Sequence, residues 1–229
     1  MAGRLLSLLG ERPGLVVSLP ANSPELAKAA AEGGADALKV HIHVHHDASG
    51  TQFGSLAEER DNLEQILALG LPTGIVPGTR ESLPTPDEMQ QLAAMGLDFF
   101  DMYADDMPDW LLHFGGMTRV VAVNAPEELS QLPGFEALGF DMVEAAIVPH
   151  REYGGPLTGL YQSRYQQVRK ATRLPTIVPT QLALSPAEAS LLVHSIGMNA
   201  IMIGAIVTGK KPDTLQRATR RFAAALAAA

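Results

Sequence analysis

One small unit recurs along this chain: a stretch ending in glycine, followed at once by an apolar run opened by Asp or Asn. It occurs at Gly33-Gly34-Ala35-Asp36-Ala37, Gly96-Leu97-Asp98-Phe99, Gly139-Phe140-Asp141-Met142 and Gly197-Met198-Asn199-Ala200, with a variant at Gly70-Leu71-Pro72-Thr73. Glycine just past a helix supplies the left-handed conformation that ends it, and the next apolar residue packs back on the last turn. Repeated helix–Gly–strand units imply a parallel sheet, because parallel neighbours need helical crossovers. The pattern places eight strands, near residues 14–20, 37–45, 73–78, 98–104, 119–124, 141–148, 176–180 and 200–205. Helices fall near 24–32, 56–69, 86–95, 109–114, 126–137, 157–172, 186–195 and 212–228. This alternation predicts an α/β chain folded as a single (β/α)8 TIM barrel over residues 1–229, with an open doubly wound sheet as the alternative. No Gly-x-Gly-x-x-Gly follows the first strand, which counts against the dinucleotide-binding form of that alternative.

Composition excludes several function classes. A formal charge of -8 without a clustered basic stripe argues against a nucleic-acid partner. With no cysteine, disulfides, thiolate metal ligands and cysteine nucleophiles are all ruled out. Residues 1–10 read as a short helix rather than a leader. The most apolar run, 191–207, is interrupted by His194, Ser195, Asn199 and two glycines, so it reads as a helix–strand pair and not as a membrane span. The expectation is a soluble, cytoplasmic protein without a membrane partner.

The candidate chemistry begins at Lys39-Val40-His41-Ile42-His43-Val44-His45-His46, where apolar and ionisable side chains alternate. Leu38, Val40, Ile42 and Val44 form one face, and Lys39, His41, His43 and His45 the other. In a barrel, inward positions near the C-terminal strand ends converge on the active-site mouth. The same alternation brings in Asp101 and Tyr103 on the fourth strand, Asn124 at the end of the fifth and Glu144 on the sixth. Ser18 and Thr180 come from the first and seventh. Each has a plain structural reading too: Lys39 with Asp101 or Glu144 as a buried ion pair, His41 as a satisfied interior donor, Tyr103 as a filler of the mouth. His45 and His46 read as solvated loop residues rather than ligands.

These segments resemble the phosphate-binding (β/α)8 barrels that act on phosphorylated sugars, and most of all the N-acetylmannosamine-6-phosphate 2-epimerase family. The resemblance covers nearly the whole chain in order and spacing. Gly33-Gly34-Ala35-Asp36-Ala37-Leu38-Lys39 stands where that family has Gly-Ala-x-Ala-Ile-Arg, and Pro84-Thr85-Pro86-Asp87-Glu88-Met89 resembles its third-helix entry. Residues 197–208 resemble its Gly-Ala-x-Ala-Val-x-Val-Gly-Ser-Ala-Ile-Thr ending. The resemblance implies a phosphorylated small substrate, with the amides of Gly204, Ala205 and Ile206 receiving the phosphate, and a homodimer. It also marks departures. The family's catalytic Lys after strand three corresponds to Pro77, its strand-four Asp to Tyr103 and its strand-seven Glu to Pro179; its phosphate-loop Gly becomes Thr180, followed by Gln181.

Three functions fit. The first is an isomerase, epimerase or lyase for a small phosphorylated carbonyl or sugar compound. Lys39 would serve as base, electrophile or Schiff-base former, His41 would move a proton, and His43, Asp101, Tyr103 and Glu144 would assist. Ser18, Asn124, Thr180, Gln181, Gly204 and Ala205 would bind the substrate, with His150 and Arg151 (or Arg80) holding an anionic group. The second is a lyase or hydrolase with a divalent metal on His41 and His43; His43 to Gly50 distantly resembles the opening motif of polymerase-and-histidinol-phosphatase phosphoesterases. The third is a non-catalytic phosphate-ligand-binding barrel.

Overall fold

A computed structural model of the chain describes residues 3–124 and 126–228, with the side chains of 126–128 left out. Met1 and Ala2, at the start of the expected first helix, lie outside the described residues. Eight parallel strands close into a barrel: β1 (Gly14–Ser18), β2 (Ala37–His41), β3 (Thr73–Val76), β4 (Phe99–Tyr103), β5 (Thr118–Val123), β6 (Met142–Ala145), β7 (Thr176–Pro179) and β8 (Ala200–Ile203). Neighbours follow chain order, and β1 closes the ring by pairing with β8 (Gly14 beside Ala200) as well as β2 (Val16 beside Ala37). The open-sheet alternative is thereby excluded.

The recurring Asp or Asn has a defined task. Asp36 Oδ2 accepts from the Leu15 amide at 2.9 Å, Asp141 Oδ2 from Arg119 at 2.8 Å and Asn199 Oδ1 from Thr176 at 3.0 Å. Each side chain thus clips the start of its own strand to the start of the preceding barrel strand. Asp98 is used differently. Its carboxylate accepts the Arg4 and Leu5 amides that open the helix Arg4–Leu9, at 2.7 and 2.9 Å. That helix plugs the barrel's lower end, with Leu5 and Leu9 packed on Val16, Ala37, Phe99 and Met142. The glycine half of the unit also behaves as expected: Gly34 and Gly96 end their helices at φ 94° and 97°. Helix starts are fixed by Ser55/Glu58, Thr85/Glu88 and Ser185/Glu188 capping boxes.

Two expectations need correction. The second strand stops at His41 and does not run to residue 45, because His43 takes a left-handed φ of 59°. Beyond it, His45–His46 pairs with Thr51–Gln52 in an antiparallel hairpin, turned by Gly50 at φ 63°. The expected helix over 126–137 is a 3-10 segment, Pro126–Gln131, leading into the short α-helix Leu132–Ala137. Among the described residues, no helix is long and apolar enough to cross a membrane.

Candidate functional site

The C-terminal mouth holds a cavity of about 330 Å³. Lys39 on β2 lines it, with Nζ 2.9 Å from Asp101 Oδ2 on β4 and 2.7 Å from Glu144 Oε2 on β6. All three side chains are buried. They come from alternate strands, the geometry in which inward residues of a barrel share a layer. Burial works against the Lys39 charge, but the two carboxylates overcome it and raise its pKa above the usual lysine range. Burial pushes the Glu144 carboxyl well above its ordinary value, with the Asp101 charge adding and Lys39 opposing. Asp101 Oδ1 has no donor as the atoms stand. A hydrogen bond with Asp101 is a further cause that raises the Glu144 value.

His41 ends β2 and is almost fully buried. Its ring stacks on Phe53 (centroids 4.7 Å apart) and meets His46 at 4.6 Å. Burial, with His46 and Lys39 adding, holds its pKa well below the ordinary histidine value, so the imidazole is neutral. Its Nδ1 has no hydrogen-bond partner, and neither does Ser18 Oγ at the end of β1. Both residues line the cavity. Tyr103 lines it as well, its phenol pushed up by burial beside Tyr153.

Thr180 and Gln181, just past β7, line the opposite wall and are already engaged. Thr180 Oγ1 accepts the Gly204 amide at 3.0 Å; Gln181 Oε1 accepts from Val148 N, and its Nε2 donates to Tyr153 Oη at 2.8 Å. The Gly204 amide is therefore not available to a phosphate as the resemblance implied. Gly204 and Ala205 line the cavity at this edge, and His150 reaches its rim, with Nδ1 3.2 Å from Asp47 Oδ2.

Three candidates lie elsewhere. The left-handed turn at His43 sends its Nε2 to Glu88 Oε1 at 3.0 Å, away from the cavity. His41 and His43 therefore do not form the two-imidazole set of a metal site, and among the described residues no group of three or more His, Cys, Asp or Glu is placed to hold one. Arg151 is exposed beside Glu152. Asn124 is exposed too, since β5 ends one residue before it, and it lines a side groove with Arg80 and Asp105. In turn, residues outside the candidate set come into the site. The hairpin folds His46 and Asp47 over the mouth, and Tyr153 packs edge-on to His150. The Asp47-Ala48-Ser49-Gly50 turn was the available signal for the hairpin; nothing local marks Tyr153.

Two expected results follow from this geometry. Ser18→Ala removes a buried hydroxyl without a partner, so the unliganded protein should gain up to about 1 kcal/mol in urea denaturation while ligand affinity falls. A loss of stability would show that the hydroxyl serves the fold. For His46, burial chiefly, then Lys39, holds the pKa at about 4, against 6.5 for an unperturbed histidine. The folded state binds fewer protons between these values, so stability is complete above about pH 6.5 and is lost as pH falls toward 4. His46→Gln should shrink that acid loss by up to about 3 kcal/mol. Identical pH profiles for the variant and wild type would contradict the burial argument.

No protein-family profile matches the chain, and no curated protein matches it in sequence. Solved structures do match. Tryptophan synthase from M. tuberculosis superposes with a TM-score of 0.74 at 16% identity over 99% of both chains. The likeness is one of fold. Thiamine phosphate pyrophosphorylase from Pyrococcus furiosus gives 0.66 at 14% identity, covering 96% of this chain and 98% of that one. A phosphoribosylanthranilate isomerase from Thermotoga maritima gives 0.64 at 11% identity, covering 95% and 100%. The resemblance to the N-acetylmannosamine-6-phosphate 2-epimerase family is not confirmed by these comparisons.

Proposed function

We propose that this protein is an enzyme that moves protons on a small carbonyl compound, as an isomerase, epimerase or lyase, at the C-terminal mouth of the barrel. The observation that carries the reading is the Lys39–Asp101–Glu144 network, sunk in a cavity beside the unpartnered His41 Nδ1 and Ser18 Oγ. A purely structural ion cluster gives no reason for three polar atoms left unsatisfied around one cavity. Burial favours a proton on Glu144 beside Asp101, and neighbouring carboxyls of which one holds a proton can act as acid and base. Asp101 takes a proton from the carbon next to the substrate carbonyl, and the C–H electron pair moves into the carbonyl group. Glu144 delivers its proton to the developing oxyanion, and the Lys39 ammonium stabilises that charge. Lys39 as a Schiff-base former fits less well, because addition to a carbonyl needs the neutral amine, and Asp101 and Glu144 both hold the ammonium. A phosphate on the substrate, implied by the family resemblance, finds some support in two fold neighbours whose names include phosphate-bearing compounds.

Proton NMR in D₂O tests the proposal on a panel of trioses, pentoses and hexoses with their phosphate esters. The expected result is enzyme-dependent loss of the α-proton signal of at least one compound, absent with Glu144→Gln. If nothing exchanges, the proton-transfer reading fails.

A further inference from the structure

We infer that the cavity takes an uncharged polyhydroxy aldehyde or ketone rather than its phosphate ester. This rests on the proton-transfer reading above and concerns the substrate of the same site. The argument starts from where the positive charges are. Among the described residues, Lys39 is the single lysine or arginine lining the cavity, and both carboxyl groups of its network hold it. His41 and His46 are kept neutral by burial. His45 Nε2 and His150 Nδ1 lie 4.0 and 3.2 Å from Asp47. Arg80 lies in the side groove, where Nε donates to the Asp105 carbonyl at 3.2 Å and sits 3.7 Å from Asp106. Arg151 is turned out to solvent, and Lys210 points toward the hairpin's tip at Gly50.

The negative side is richer. Asp47 and Asp106 line the mouth in addition to Asp101. A phosphate dianion would enter a partly enclosed space with no unmatched cation, and an uncompensated charge out of water is costly. Backbone amides offer less than the resemblance implies, because Gly204 N–H is spent on Thr180 Oγ1.

What the cavity lacks is hydroxyl partners. Ser18 Oγ, His41 Nδ1 and Asp101 Oδ1 are buried without them. A hydroxyl both donates and accepts, so a polyol satisfies all three, while Met102, Met202 and Val76 offer apolar wall to its C–H surface.

The experiment is calorimetric titration of the intact protein with matched pairs at fixed ionic strength: glyceraldehyde, dihydroxyacetone, xylose and glucose against their phosphate esters. At least one free compound should bind about tenfold tighter than its ester. Tighter binding of an ester, or no binding by any free compound, overturns the inference. α-Proton exchange on an ester alone would overturn it while leaving the proton-transfer reading in place. In Asp47→Asn, loss of one rim charge should narrow the preference by roughly two- to five-fold. An unchanged preference would remove charge as its cause.

Discussion

Lys39→Met is expected to destabilise the folded protein by about 3–5 kcal/mol at pH 7, because it leaves buried carboxylates without their cation. Lys39 reaches both Asp101 and Glu144 within 3 Å in a layer nearly closed to solvent. Three comparisons separate this effect from simple loss of packing. First, the deficit should narrow as pH falls, since the carboxyls left behind can take up protons. Second, the uncharged triple variant Lys39→Met/Asp101→Asn/Glu144→Gln should recover most of the stability but none of the activity. Third, in the wild type the raised Glu144 pKa lets the folded state bind more protons than the unfolded chain. Its contribution is therefore complete below about pH 4.3 and declines as pH rises through the folded value, opposite in sense to that of His46. Urea denaturation at pH 5 and pH 7 reads all three. A cost below about 1 kcal/mol for Lys39→Met would mean that water reaches the network far more than its burial implies.

Glu144→Gln should leave the barrel folded and lower the α-proton exchange rate by about 10²–10⁴-fold. The amide keeps the shape of the carboxyl and can still donate toward Asp101, as the protonated acid does. It has no proton to deliver to a substrate oxyanion. The loss should fall on kcat, with little change in KM, because ground-state contacts are kept. A rate within tenfold of wild type would take Glu144 out of the acid's role and leave His41 as the candidate donor.

Much of this site was legible because barrel strands obey a period of two. Lys39 and His41, Asp101 and Tyr103, and Glu144 share the cavity because alternate residues face inward, and the helix–Gly–strand repeat fixed the count of strands. The rule gave out where the strand did. At His43 a backbone dihedral reverses sign, which apolar–polar alternation does not record, and the imidazole goes to Glu88. Asn124 and Arg151 were placed by nearness to strand ends, a criterion that ignores side-chain direction. His46 shows the opposite error: a histidine in a loop looks solvated until the loop folds as a hairpin against Phe53 and His41. The unpartnered atoms of Ser18, His41 and Asp101 belong to tertiary structure and have no sequence signature.

The bond between Lys39 and Glu144 also says something about how the molecule assembles. Their strands, β2 and β6, are four positions apart in the ring, a separation of about 19 Å in a flat sheet with ordinary strand spacing. They meet at 2.7 Å only because the sheet has curled until its interior faces touch. A partly rolled sheet could hold correct strand pairing throughout and still leave this contact unmade, with Glu144 an ordinary carboxyl. The proton affinity of Glu144 is therefore a gauge of ring closure, built into the chain at the residue assigned to the chemistry.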